Sequence, residues 1–174
     1  MTIRVPLVPH PDHPPRAVEG IDVTVDIQRG ESLLVCRVTG QPPLVPGPTA
    51  PVRTDELWKH TCFELFVKPA GGEGYFEFNF SPSTAWAAYR FDGYREGMRD
   101  QPLDAPRIEP VEDGVRVAVD LGGLPEGKWR VAITAVIEEV DGTKSYWSAA
   151  HPAGKPDFHD PACFVLQLPA PSGA

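Results

Sequence analysis

Apolar and polar positions alternate with period two along most of the chain, and no stretch holds the i, i+3, i+4 apolar spacing that would specify a helix. The alternating runs predict about ten strands, at 21–28, 32–39, 62–68, 75–81, 85–91, 107–110, 114–120, 130–139, 144–147 and 163–168. Between them stand Arg29-Gly30, Gly71-Gly72-Glu73-Gly74, Asp113-Gly114 and Asp141-Gly142, which supply the left-handed backbone positions that hairpins require. Antiparallel pairing follows, and evenly spaced short strands specify an all-β fold, an antiparallel β-sandwich with a jelly-roll-like order. Residues 41–51 are too rich in proline to form a strand, and the segment around Tyr94 and Met98 reads as a turn between Gly93 and Gly97. The first nineteen residues hold five prolines and read as a loosely held N-terminal arm, residues 20–168 as one sandwich domain, and residues 169–174 as a flexible tail.

Alternation sorts the central strands into faces. In CFELFVK, Phe63, Leu65 and Val67 oppose Cys62, Glu64 and Phe66; in YFEFNFS, Phe76, Phe78 and Phe80 oppose Tyr75, Glu77 and Asn79. The all-apolar sets must be core. In WAAYRF, assigning Trp86 and Arg90 to the polar side gives a second face of Glu64, Glu77, Asn79, Trp86 and Arg90. Such a face suits a polyhydroxylated ligand, whose hydroxyls need hydrogen-bonding groups and whose C–H faces pack on rings; the alternative is a solvated face with a Glu–Arg pair.

Composition narrows the partners. Twenty-one prolines and 16 glycines among 174 residues fit many short strands, and a net charge of −8 repels nucleic acid and anionic membrane surfaces. The sequence shows neither an apolar leader-like stretch nor one as long as a membrane span, which leads to the expectation of a cytoplasmic protein. Cys36, Cys62 and Cys163 are odd in number and far apart, so they predict neither a disulfide framework nor a zinc knuckle, and Cys36 and Cys163 lie in apolar runs as small hydrophobes.

A second constellation begins in the ninth predicted strand, at 144–147, and continues beyond it. Tyr146 and Trp147 precede a proline-stiffened segment carrying His151, Lys155, Asp157, Phe158 and His159, and such loops are where rigid scaffolds carry binding groups; a plug over the core is the alternative. Glu64 and Glu77 on neighbouring strands could form a glycosidase pair, but no nucleophile elbow, phosphate loop or activated cysteine is present, and the chain is expected not to be an enzyme.

The segments LWKHTCFELFVKP, GYFEFNFSPSTAWAAYRFDGYREGM and SYWSAAHPAGKPDFHDPACFVLQL together resemble the bacterial DOMON-like domains, relatives of the family 9 carbohydrate-binding modules. The resemblance covers residues 57–168 and implies a sandwich that binds sugar or haem on one sheet. For sugar it implies ring stacking on Trp86 and Trp147 beside Glu64, Asn79 and Arg90. For haem it implies a Met–His pair, for which Met98 is the sole non-initiator methionine and His60, His151 and His159 are the candidate partners.

The expectation is a non-catalytic small-ligand-binding domain for a carbohydrate or similar molecule, without cofactor or metal. Its candidate site comprises Trp58, Glu64, Asn79, Trp86, Arg90, Trp147, His151, Lys155, Asp157 and His159. A b-type haem domain and a protein-interaction accessory module are the alternatives.

Overall fold

A computed structural model describes residues 1–28 and 30–168; the tail at 169–174 lies outside the described residues. Twelve strands are present among them: β1 (Thr2–Pro9), β2 (Val18–Asp26), β3 (Glu31–Gly40), β4 (Cys62–Pro69), β5 (Tyr75–Phe80), β6 (Trp86–Phe91), β7 (Arg99–Asp100), β8 (Arg107–Val111), β9 (Gly114–Asp120), β10 (Trp129–Glu138), β11 (Lys144–Ser148) and β12 (Leu166–Leu168). Every strand pairing is antiparallel. The hydrogen-bonded order is β7-β6-β5-β4-β10-β11-β1-β2-β3-β9-β8, with β12 lying beyond β11 along the same side of β10. The chain thus forms one curled antiparallel sheet whose two halves face each other as an all-β sandwich.

β1 joins the halves. Thr2 to Leu7 pair with β2, and Val8 and Pro9 then pair with Ser148 and Trp147 of β11. Residues 1–19 are therefore part of the sandwich and not a loose arm. Val5 and Leu7 are buried in the core, and Pro6 is tolerated because that stretch pairs on one side only. The return from β1 to β2 is held by Glu139, itself buried, whose carboxylate accepts from the backbone N–H groups of Arg16 (2.8 Å), Ala17 and Val18 (2.8 Å).

The predicted hairpins form. Asp113-Gly114 connects β8 to β9, and a Cβ at Gly114 would stand 1.8 Å from the Cys36 carbonyl oxygen, so only glycine fits. The main core lies between the halves, from Val23, Leu34 and Val117 on one side to Leu65, Phe78, Phe80 and Ile133 on the other. Cys36 and Cys163 are buried free thiols, as their apolar runs suggested, and burial pushes them up to about 12 and about 11. The last predicted strand is shortened to β12, because Asp160 caps a short 3₁₀ turn at Pro161–Cys163.

Register corrects one face assignment. Phe80 pairs with Trp86, Phe78 with Ala88 and Phe76 with Arg90, so Trp86 and Arg90 share the core-side face; Glu77 and Asn79 pair with Tyr89 and Ala87. Trp86 is buried in the main core beneath the Arg53 guanidinium, 4.5 Å from its ring centroid, and Arg90 is exposed at the far end of that face. The sequence was ambiguous because both faces of β6 are largely apolar, and the turn at 81–85 sets which one meets Phe80.

Candidate functional site

The sheet half containing β4, β5, β6, β10 and β11 buries both of its faces. Its inner face belongs to the main core, and its outer face carries a second apolar cluster of Phe66, Tyr75, Tyr89, Phe91 and Val136. Phe158, Cys163 and Phe164 from the segment 149–165 pack onto that cluster and roof part of it. A polar row runs across the same face: Ser148, Thr134, Glu64, Asn79 and Ala87 are successive cross-strand partners, and Glu77 lies in the next row between Phe66 and Tyr89.

A cavity of about 480 Å³ opens over this face, within the usual range of small-ligand pockets. Glu64, Glu77 and Val136 form its floor. Its walls are Phe91, Tyr146, Pro156, Phe158 and His159, and its mouth is lined by Trp58 and Lys59 of a short 3₁₀ turn, Arg95 and Met98 of the loop after β6, and Lys144. Trp58 and Met98 are exposed there, and Trp58 meets Tyr89 edge to face at 6.5 Å between centroids.

Local backbone chemistry sets these groups. Arg95 has φ 53, in the left-handed region, and its amide N–H donates to the Tyr75 hydroxyl at 3.1 Å. The Tyr75 hydroxyl in turn lies 2.7 Å from His159 Nδ1, and the other ring nitrogen, Nε2, faces Glu77 Oε2 at 3.6 Å. The Arg95 guanidinium is held by Asp157 at 2.7 Å, and Asp157 also accepts from the Tyr94 hydroxyl.

Electrostatics on the floor are unusual. Glu64 and Glu77 are only 3% and 4% exposed. Thr134 Oγ1 donates to Glu64 Oε2 at 3.1 Å. Burial, and then the charge of Glu77, push the Glu64 carboxyl well above the ordinary range, with the Thr134 hydroxyl opposing. Burial raises Glu77 to about 7, against the pull of the Asn79 amide and the Arg95 charge. His159 is driven down to about 4 by burial and Arg95, with Asp157 opposing, so its approach to Glu77 joins a neutral imidazole to a carboxyl rather than making an ion pair. Asn79 is fully buried, and neither its Oδ1 nor its Nδ2 completes a hydrogen bond. Native interiors rarely leave such groups unpaired.

The structure places Trp58, Glu64 and His159 in the cavity, with Asn79 beside the floor and Asp157 bracing Arg95. Trp147 is not a stacking platform: it is 1% exposed, inside the main core, with its indole N–H donated to Ser145 Oγ at 2.8 Å. Along β11 it is Tyr146 that turns outward. Trp86 and Arg90 are likewise removed from the site by register. Lys155 is exposed outside the cavity, and His151 packs against the His10 ring and makes a 2.8 Å contact through Nε2 with the Val8 carbonyl. Arg95, Phe91, Lys59 and Lys144 were not singled out from sequence; a left-handed arginine, a lysine in a 3₁₀ turn and a lysine at the first residue of β11 carry no signal that marks them as lining a cavity.

The residues do not fit a haem. Only His159 shares the cavity with Met98, and its nitrogens are turned to Tyr75 and Glu77; His60 lies outside, 3.0 Å from Glu138, and His151 is occupied by Val8. No group of three or more His, Cys, Asp or Glu side chains among the described residues is arranged to hold a metal ion.

No protein-family model matches the chain, and no curated protein matches it in sequence. Among solved structures it is similar to a "putative carbohydrate-binding protein" from Bacteroides uniformis ATCC 8492, at 14% identity and a TM-score of 0.65, covering 94% of this chain and 84% of that one. It also overlaps a family 9 carbohydrate-binding module from Caldicellulosiruptor kristjanssonii, in complex with cellotriose (12% identity, 80% and 72% coverage, TM-score 0.44) and with glucose (11%, 78% and 69%, 0.44). At these identities the likeness concerns the fold.

Proposed function

We propose that this chain is a non-catalytic domain that binds a saccharide or similarly hydroxylated small molecule in the cavity over β4, β5 and β10. One observation carries the reading: aromatic side chains at Trp58, Tyr146, Phe91 and Phe158 surround a floor of buried hydrogen-bonding groups, the combination that takes up the C–H faces and the hydroxyls of a sugar together. The Bacteroides uniformis protein of similar fold carries a carbohydrate-binding description, which agrees with it. Membership of the DOMON-like group is part of the proposal.

Glycoside hydrolysis fits the geometry less well. Its two carboxyl groups must flank the scissile bond, whereas Glu64 and Glu77 rise from one face of adjacent strands at diagonal positions. An interaction module would present a flat, plugged face, and this face is concave.

The test is a calorimetric titration of monosaccharides and disaccharides against the wild type and Trp58→Ala. Wild-type binding that weakens about tenfold in Trp58→Ala with an unchanged melting temperature supports the site. Saccharide binding that ignores Trp58 and Tyr146, or release of free sugar from a glycoside, overturns it.

A further inference from the structure

The charges around the cavity divide into two groups. Each cation that lines it already has a carboxylate partner: Lys59 Nζ lies 2.8 Å from Glu56, Lys144 Nζ lies 3.7 Å from Glu138 and donates to the Lys59 carbonyl at 2.6 Å, and Arg95 lies 2.7 Å from Asp157. The mouth is therefore self-neutralised. The floor is not: Glu64 has one hydrogen bond, from a neutral hydroxyl, and Glu77 has the pull of the neutral Asn79 amide, short of a completed hydrogen bond, and the His159 Nε2 contact at 3.6 Å, with Arg95 acting on it only through its charge. Two carboxyl groups, each more than nine-tenths buried, face a cavity in which no cation among the described residues is paired with them.

We infer that the cavity seats a primary ammonium group on Glu64 and Glu77, so that the saccharide it selects is an amino sugar carrying a free amine. This rests on the saccharide reading of the same cavity. Buried carboxylates are tolerated where a cation meets them, and here that cation comes from the ligand. An ammonium offers three donors, enough to reach both carboxylates and a ring hydroxyl or amide nearby. The Asn79 amide, fully buried without a completed hydrogen bond in the row beside Glu64, adds an acceptor and donors on the same face. The rings of Trp58, Tyr146 and Phe91 favour a cation over a neutral group through their π faces, and the net charge of −8 draws cations towards the protein.

Protonation supplies an independent signature. Glu77 unliganded holds its proton up to about 7, among Glu64, Cys62, Tyr75, Tyr89, His159 and Arg95, which face it from the surrounding elements. An arriving ammonium stabilises the carboxylate, so binding near neutral pH expels a proton from the site; a neutral sugar does not require this.

The experiment titrates glucosamine, glucose and N-acetylglucosamine into the full chain at about pH 6.5, where the glucosamine amine is charged, in two buffers of different ionisation enthalpy. The expected result is glucosamine binding tighter than glucose and N-acetylglucosamine by about tenfold or more, with proton release, and loss of that preference in Glu77→Gln and Glu64→Gln. Circular dichroism confirms the fold of each variant, and either folded variant suffices. Equal affinity for glucose and glucosamine, or preference for the N-acetylated sugar, overturns the inference while leaving a saccharide site standing. Binding of none of the three overturns both.

Discussion

Glu139 and Glu77 are both buried glutamates on strands or turns of the same sheet half, and their surroundings treat them oppositely. Glu139 accepts three backbone N–H groups from the segment that returns β1 to β2, so its carboxylate is satisfied by the fold itself. Glu77 meets a neutral imidazole at 3.6 Å and a neutral Asn79 amide that completes no hydrogen bond, and opens onto a cavity. A structural carboxylate is recognised by its completed set of donors; a carboxyl held for a ligand is recognised by the donors it lacks.

Substitutions can break this contrast. Glu139→Ala leaves three inward N–H groups without an acceptor and should cost about 3–5 kcal/mol in urea unfolding, with loss of the β1 pairing. A cost below about 1 kcal/mol would mean that water replaces the carboxylate at no penalty.

Glu77→Gln should act in the other direction and depend on pH. The folded pKa of Glu77, about 7, lies above the ordinary carboxylate value, so the proton is held more tightly in the folded state. Its contribution to stability is complete below about pH 4.5 and is lost as pH rises through about 7. The amide cannot ionise, so the variant should match the wild type at about pH 4.5 and exceed it by about 1–3 kcal/mol at about pH 8. A difference that is flat across that range would remove the claim that burial holds the proton. His159 bends the lower limb: with its folded value depressed to about 4, its contribution is present above about 6.5 and falls away as pH drops through about 4. In His159→Asn the acid limb should be shallower by about 1–2 kcal/mol, read from the same denaturation series.

The smallest stability effect is expected at the mouth. Trp58→Ala should change unfolding free energy by less than about 1 kcal/mol, since the ring is partly exposed and outside both apolar clusters, even though the same change weakens the ligand. A larger loss would make Trp58 part of the fold rather than of the site.

Much of the fold was legible because strand periodicity is local. The runs that became β4, β5, β9 and β11 needed only alternation and turn residues. β1 was obscured by Pro6, Pro9 and Pro11, although Ile3, Val5 and Leu7 alternate beneath them, because proline is acceptable where a strand pairs on one side. The site was legible in part. Glu64, Glu77 and Asn79 stood out as polar residues inside aromatic strands, and their face was assigned correctly. Trp86 and Trp147 were attractive as rings but belong to the core, since an indole N–H satisfied by Ser145 or a nearby carbonyl is as much at home inside as at a ligand. Arg95 and Lys59 enter through a loop and a short 3₁₀ turn whose placement depends on tertiary contacts.

The joining of the two halves through β1 also bears on the order in which the molecule is assembled. β1, β2 and β3 are neighbours in sequence and can pair as soon as they are synthesised, but the turn after β1 is fastened to the roof of the cavity by His10 Nε2 and the Gly154 carbonyl, 144 residues away, and by His151 and Val8, 143 residues away. Contacts of such long range form late and slowly. Ligand-binding competence should therefore be the last property to return on refolding, after the tryptophan core has become protected, and a nascent chain should acquire it only once the segment beyond Ser148 has left the ribosome.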